Sequence, residues 1–210
     1  MSATSATATD RHFSGVTGYA LGLTMIAGRS PAARLMADLG GVEAGTRVVD
    51  LGCGPGVAVR EAARRGAVAF GVEPSAEMRR LARLLTHGPT RRRITYLDGR
   101  AEQIPLDDSS VDVAWALSSA HHWADLPAGF AEVKRVLRPG GRALVGERLQ
   151  VPGRHAHYAM TEHQVEAMAA AARDAGLEQV RIDRHRLGHT TEAVVSASAE
   201  ESRVVQASDL

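Results

Sequence analysis

The segment Val48-Val49-Asp50-Leu51-Gly52-Cys53-Gly54-Pro55-Gly56 combines an apolar run, a carboxylate and three glycines at alternate positions. Glycine lets the backbone turn sharply and lets a ligand approach without a Cβ in the way. Where such a turn opens a helix, the first N–H groups of that helix lack partners within it. Together these suit a nucleotide-like ligand at the carboxyl edge of a parallel sheet, where the strand order switches. A plain strand-to-helix turn has the same pattern, so a second signal matters. Phe70-Gly71-Val72-Glu73-Pro74-Ser75 places a carboxylate at the end of another apolar run. Glu73 could accept two hydrogen bonds from ribose hydroxyls, or be a solvated acid at a strand end. Its separation from Gly52 is close to the roughly 20 residues typical of such units. His121 and His122 follow a later apolar run. An imidazole there could act as a base, or the pair could simply pack in its loop.

These groups need elements to hold them. From about residue 31, strand-like runs alternate with helix-like patterns, the signature of a parallel sheet with helices on both faces. Strands are predicted at Thr46–Leu51, Ala67–Val72, Ile94–Leu97, Val111–Leu117 and Arg142–Gly146. Val57–Arg65 reads as a helix. Ser75 can cap a second one, with Met78, Leu81, Ala82 and Leu85 along one face. Phe130, Val133 and Leu137 line a third, which Arg138-Pro139-Gly140-Gly141 stops. Thr161 and Gln164 form a capping box for a fourth, buried along Val165, Met168, Ala169 and Ala172 and ended by Gly176. Gln179–Leu187 and Thr191–Ala199 read as strands joined by a tight turn at Gly188, which allows an antiparallel pair.

The chain has 210 residues, 44% of them apolar, enough for a single domain with a full core. Against 25 Lys and Arg stand 24 Asp and Glu, and a net charge of +1 argues against a surface built to hold nucleic acid. Cys53 is the only cysteine, which excludes an intrachain disulfide and fits a reducing compartment. Residues 1–10 read as a disordered tail, 11–40 as a helical cap, 41–200 as the domain and 201–210 as a frayed end. The apolar stretch 19–27 is too short to span a bilayer and lacks the strongly basic start of a secretory signal. The expected location is therefore cytoplasmic, with no membrane span. Oligomeric state is left open.

The motifs, taken in order, resemble the class I S-adenosylmethionine-dependent methyltransferases, especially the small-molecule group that includes the ubiquinone and menaquinone biosynthesis enzymes. The resemblance rests on DLGCGPG at 50–56, GVEPS at 71–75, GRAEQIPLDDSSVDV at 99–113, HHW at 121–123 and EVKRVLRPGGRALV at 132–145. It implies a doubly wound, Rossmann-like α/β domain with a seven-stranded, mostly parallel sheet in the order 3-2-1-4-5-7-6, only the last-placed strand antiparallel. It also implies S-adenosylmethionine as cofactor and a small-molecule acceptor. The implied cofactor contacts are Asp50, Gly52, Cys53, Gly54, Gly56, Glu73, Pro74, Arg100, Ala101, Glu102, Ala116 and Leu117. Asp50 and the backbone of Gly52 and Gly54 would face the methionine part, Glu73 the ribose and the Ala101 N–H the adenine edge. Arg100 departs from the pattern, because many relatives carry an acid there and arginine cannot accept from the adenine amino group. Backbone groups or Glu102 would take over.

Methyl transfer mainly requires alignment and exclusion of water, and it needs a base only when the acceptor must lose a proton. His121 and His122 are the candidate bases. Tyr19 could line the acceptor pocket. His155, His157 and His163 lack a zinc spacing and more plausibly rim that pocket, so no metal is expected. Arg79, Arg80, Arg83 and Arg91–Arg93 make a basic region that reads as solvated surface. Two rival functions are a dinucleotide-dependent oxidoreductase, disfavoured by the Gly-x-Gly-x-Gly spacing, and a non-catalytic relative acting as a partner subunit.

Overall fold

The computed structural model describes residues 30–150 and 159–200. A helix over residues 30–39 (α1) leads into strand β1 (Arg47–Leu51), helix α2 (Val57–Arg64) and strand β2 (Val68–Val72). Helix α3 (Ala76–Leu84), β3 (Ile94–Leu97), β4 (Val111–Leu117) and α4 (Leu126–Val136) follow. The chain then forms β5 (Leu137–Arg148), α5 (Glu162–Asp174), β6 (Glu178–Leu187) and β7 (Thr190–Ser198).

The sheet has seven strands in the order β3-β2-β1-β4-β5-β7-β6. β1 to β5 run parallel because each is reached through a crossover segment. β7 runs antiparallel to both β5 and β6. There are thus two antiparallel pairs where one was expected, because the strand inserted at Gly188's turn has a neighbour on each side.

Most predicted helix and strand ends lie close to the observed ones, with two corrections. Leu137 does not extend the stripe of α4; it opens β5 opposite Val111, with extended backbone. Helical backbone is disfavoured for Arg138, which precedes Pro139, so the helix stops early. Arg138–Gly141 then bulges, and the ladder resumes at Arg142 opposite Val113. In α3, Met78, Leu81 and Ala82 are buried as predicted, whereas Leu85 is the half-buried C-cap. Both predicted caps are present: Met78 N–H donates to Ser75 Oγ at 3.3 Å, and Thr161 with Gln164 forms the reciprocal box.

The sheet buries an apolar layer on each face. One holds Phe130, Val133, Val165 and Met168 of α4 and α5 against Leu51, Val72 and Val145. The other holds Met36 of α1 with Val57 and Val59 of α2 against Val48, Trp115 and Leu144. Of the cap expected over 11–40, residues 30–39 are helical and pack on this second face; residues 11–29 lie outside the described residues, as do Tyr19, His155, His157, the tail at 1–10 and the end at 201–210. Among the described residues, no helix is long and apolar enough to cross a membrane.

Candidate functional site

The strand ends of β1, β2, β4 and β5 bring the sequence-predicted groups to one edge of the sheet. The glycine loop leaves β1 with Gly52, Gly54 and Gly56 all at positive φ, at 67°, 50° and 77°. Gly52 N–H and Cys53 N–H donate to Val72 O at 2.8 and 3.1 Å, tying the loop to β2. Gly52 and Gly56 are needed for close approach. A Cβ on Gly52 would lie 2.6 Å from Ser119 Cβ, and one on Gly56 would strike the Tyr96 hydroxyl. Around Gly54 a Cβ would meet nothing within 4 Å among the described residues. Of the three glycines of this loop, Gly54 is the one with open space beside it among the described residues.

The loop is supported from beneath. Arg60 of α2 is buried and donates from Nη1 to Pro55 O at 2.6 Å. Its burial lowers the guanidinium pKa, against the favourable influence of Tyr96. Tyr96 shares a 3.0 Å hydrogen bond with Thr86 Oγ1, and burial pushes its phenol up. The Cys53 thiol is raised well above its ordinary value, first by burial and then by the negative charges of Asp50 and Glu73. It therefore stays protonated and acts as packing.

Glu73 is 8% exposed, not a solvated strand-end acid. Its Oε2 accepts from Gly54 N–H at 3.0 Å and its Oε1 from Ser75 N–H at 2.9 Å. The carboxylate thus sets the glycine loop against the start of α3. Asp50 is also buried, at the end of β1. Pro74 is exposed beside Glu73.

On the other side of β1, Ala116 and Leu117 are buried at the end of β4, with Leu117 opposite Gly146 of β5. Ser118 turns the chain with φ 50°. Ser119 Oγ donates to Leu51 O at 2.6 Å, which places the next residues against the glycine loop. A short 3₁₀ turn, Ala120–His122, carries the two histidines. His122 is exposed, its ring 4.0 Å from that of His121. His121 Nδ1 lies 2.9 Å from Oε2 of Glu147, a carboxylate with no exposed surface at the end of β5.

Ala101 is buried beside β2's end, whereas Arg100 is exposed and bridges to Gln103. Glu102 Oε1 accepts from Ala124 N–H at 2.6 Å and Asp125 N–H at 3.2 Å, so this side chain holds the entrance of α4. Much of the basic region is used within the fold: Arg79 pairs with Asp98, Arg83 donates to Tyr96 O and Arg93 to Gly66 O. His163 is exposed on α5. Among the described residues, no cluster of three or more His, Cys, Asp or Glu could hold a metal.

Sequence reasoning missed Glu147, Arg60 and Tyr96 as parts of this edge. Glu147 had a signal, since it ends the apolar run Ala143-Leu144-Val145-Gly146 as Glu73 ends that of β2. The Arg60–Tyr96 contact joins a helix to a distant strand, and no local spacing announces it.

Residues 49–145 match the model of a family described as a methyltransferase domain. An uncharacterized methyltransferase of Mycobacterium tuberculosis is 42% identical over 99 residues, covering 47% of this chain and 38% of that protein. The 27-O-demethylrifamycin SV methyltransferase of Amycolatopsis mediterranei is 35% identical over 113 residues, covering 53% of this chain and 42% of that protein. The matched stretch thus spans about two fifths of each relative. A crystal structure of a SAM-dependent methyltransferase from Aquifex aeolicus superposes with a TM-score of 0.71 at 17% identity, covering 85% of this chain and 97% of that one, and shows the shared fold.

Proposed function

We propose, from the premise that the chain carries a class I S-adenosylmethionine-dependent methyltransferase domain with its family match over residues 49–145, that it transfers a methyl group from this cofactor to a small molecule. The observation that carries the reading is the joint between Glu73 and Gly54. One buried carboxylate meets the single open glycine of the loop, so ribose and methionine parts of a nucleoside ligand would be held by groups already fixed to each other. Gly52, Cys53 and Gly56 would shape the turn and Asp50 would face the methionine end. Ala101, with Arg100 and Glu102 on its flanks, would border the adenine. Ala116 and Leu117 would floor the site, and Pro74 would bound the ribose.

When bound, the cofactor supplies a methyl group on a sulfonium. The chain's own work is to hold the nucleoside, align an acceptor and keep water out. The rifamycin relative supports a small-molecule acceptor, because its name gives one. The single buried cysteine supports a reducing, cytoplasmic setting. Calorimetric titration with S-adenosylhomocysteine and with NADH tests the reading. Saturable binding of the first and none of the second is expected; the reverse would move the function to dinucleotide oxidoreduction.

A further inference from the structure

Residues 78–97 carry six arginines, Arg79, Arg80, Arg83 and Arg91–Arg93, and no Asp or Glu, in a chain whose total charge is close to balance. The stretch runs from α3 through a 3₁₀ turn (Gly88–Arg93) into β3, the outermost strand at that end of the sheet. Three of the six are fasteners. Arg79 donates to Glu73 O and pairs with Asp98 at 2.9 Å, Arg83 donates to Tyr96 O at 3.1 Å and Arg93 to Gly66 O at 3.0 Å. Arg80, Arg91 and Arg92 are exposed, and no carboxylate among the described residues pairs with them. The acids that flank the stretch are engaged elsewhere, Glu77 with Ser75 Oγ and Asp98 with Arg79. Arg80, Arg83 and Leu84 stand at i, i+3 and i+4 of α3 and form one exposed stripe. Leu84 is 66% exposed, and among the described residues it is the one large apolar side chain that is.

We propose that this corner docks on an anionic phospholipid surface, with Leu84 entering the headgroup layer and Arg80, Arg91 and Arg92 facing its phosphates. The sign of the patch and its one apolar group point to that occupant. A stretch of positive charge with no acid in it fits a partner that is uniformly negative, and guanidinium groups match phosphate bidentately. Single-stranded nucleic acid calls for aromatic faces on which bases stack, whereas the stretch has no Phe or Trp and buries its one Tyr, Tyr96. A stable protein partner calls for a larger apolar centre than one leucine. A lipid headgroup layer is served by cations spread over it and a small apolar insertion, two weak signals that add. Attachment of this kind is reversible and needs no spanning helix. Ser75 and Leu84 stand at the two ends of α3, about 13 Å apart at the helical rise. The patch is therefore a surface separate from the Glu73 edge, and its docking does not depend on the cofactor reading.

Co-sedimentation of the full chain with vesicles tests this. At low salt the wild type should bind vesicles of phosphatidylcholine mixed with phosphatidylglycerol and leave vesicles of phosphatidylcholine alone unbound. Added salt should release it, because exposed charges are screened. A triple variant, Arg80→Gln with Arg91→Gln and Arg92→Gln, should bind the mixed vesicles about tenfold or more weakly. Leu84→Ser keeps every charge and should bind them about threefold or more weakly. The changed side chains are all exposed, so both variants should unfold as cooperatively as the wild type and bind S-adenosylhomocysteine within about twofold of it. Absence of wild-type binding to mixed vesicles at low salt overturns the proposal. So does equal binding to the neutral vesicles, or unaltered affinity in the triple variant or in Leu84→Ser. Preference for a single-stranded oligonucleotide or a polyglutamate peptide over the mixed vesicles, at equal anion concentration, also overturns it and makes the patch a nucleic-acid or an acidic-protein surface. If the triple variant fails to fold, Leu84→Ser and the salt series on the wild type decide the matter.

Discussion

Glu73 and Glu147 occupy equivalent places on either side of β1: each ends a buried parallel strand, and each accepts backbone N–H groups from the adjoining loop. The difference lies in the remaining work of each carboxylate. Glu73 joins two backbone segments, the glycine loop and the start of α3. Glu147 reaches past the backbone to a side chain that can carry a proton. One strand-end device thus serves backbone alone on one side and an imidazole as well on the other. The contrast predicts that damage to the first half is read in affinity and damage to the second in turnover.

The sharpest way to break the contrast is at Gly54. A Gly54→Val change places a branched side chain in the open space beside the loop, at φ 50°, where such residues are strained. Cofactor binding should fall below detection, while the sheet still forms because none of the described residues packs there. Thermal unfolding with S-adenosylhomocysteine reads both results. The wild type should gain about 2.7 kcal/mol at a hundredfold excess over Kd, and the variant nothing. Gly56→Ala should behave oppositely: its Cβ strikes the Tyr96 hydroxyl, so the ligand-free protein itself should lose stability. Equal ligand stabilisation of Gly54→Val and wild type would remove the binding edge from this loop.

Glu73 comes next. Glu73→Gln keeps the shape and exchanges one acceptor for a donor, so each charge-assisted hydrogen bond lost should weaken S-adenosylhomocysteine binding by about 1.5–3 kcal/mol. Glu73→Ala should cost stability as well, because it orphans Gly54 N–H and Ser75 N–H. Calorimetry on both variants checks this. Unchanged affinity in folded Glu73→Gln would leave Glu73 a purely structural strut.

How legible the two halves were differs for a physical reason. The glycine loop, the strand-end place of Glu73 and the caps at Ser75 and Thr161 follow from local spacing, which backbone geometry enforces, whereas the strand order was implied by the resemblance of the motifs to a known family. His121 was visible as a residue type, but its separation from His122 was not. That separation comes from Glu147, 26 residues on, a pairing set by the lateral packing of β4 and β5. Glu102 was likewise a candidate for adenine, while the fold turns it to the entrance of α4. Long-range pairings of this kind carry no period or motif.

A milder test uses Cys53. It sits in the glycine loop, and its thiol is buried and raised well above its ordinary value. Labelling by a thiol reagent at neutral pH should be slow in the native protein and fast once it is unfolded. Rapid labelling of native protein would mean that the loop opens readily, and then Glu73 would not be holding it.

The smallest effect is expected at Glu132, a third carboxylate that accepts a backbone N–H but stands away from the edge. Its Oε2 takes Ile104 N–H at 2.8 Å, and Arg135 donates to both of its oxygens. Arg135 in turn donates to Ile104 O and Leu106 O, fastening the loop after Ala101 onto α4. The hydrogen bond from Arg135 chiefly, with help from Ile104 N–H and against partial burial, holds the Glu132 carboxyl below its ordinary value. A group lowered in the folded state adds stability above its unfolded pKa, about 4.3 for glutamate, and loses it as pH falls through the folded value. Glu132→Gln should therefore unfold more easily than wild type at neutral pH, and the gap should close as acid protonates the wild-type carboxyl. Chemical denaturation at a series of pH values measures that gap. Because this carboxylate borders no strand end of β1, β2, β4 or β5, affinity for S-adenosylhomocysteine at neutral pH should stay within about twofold. A loss of affinity as large as that of Glu73→Gln would show that any backbone-binding carboxylate in this fold supports the ligand, and the distinction drawn for the strand-end pair would fail.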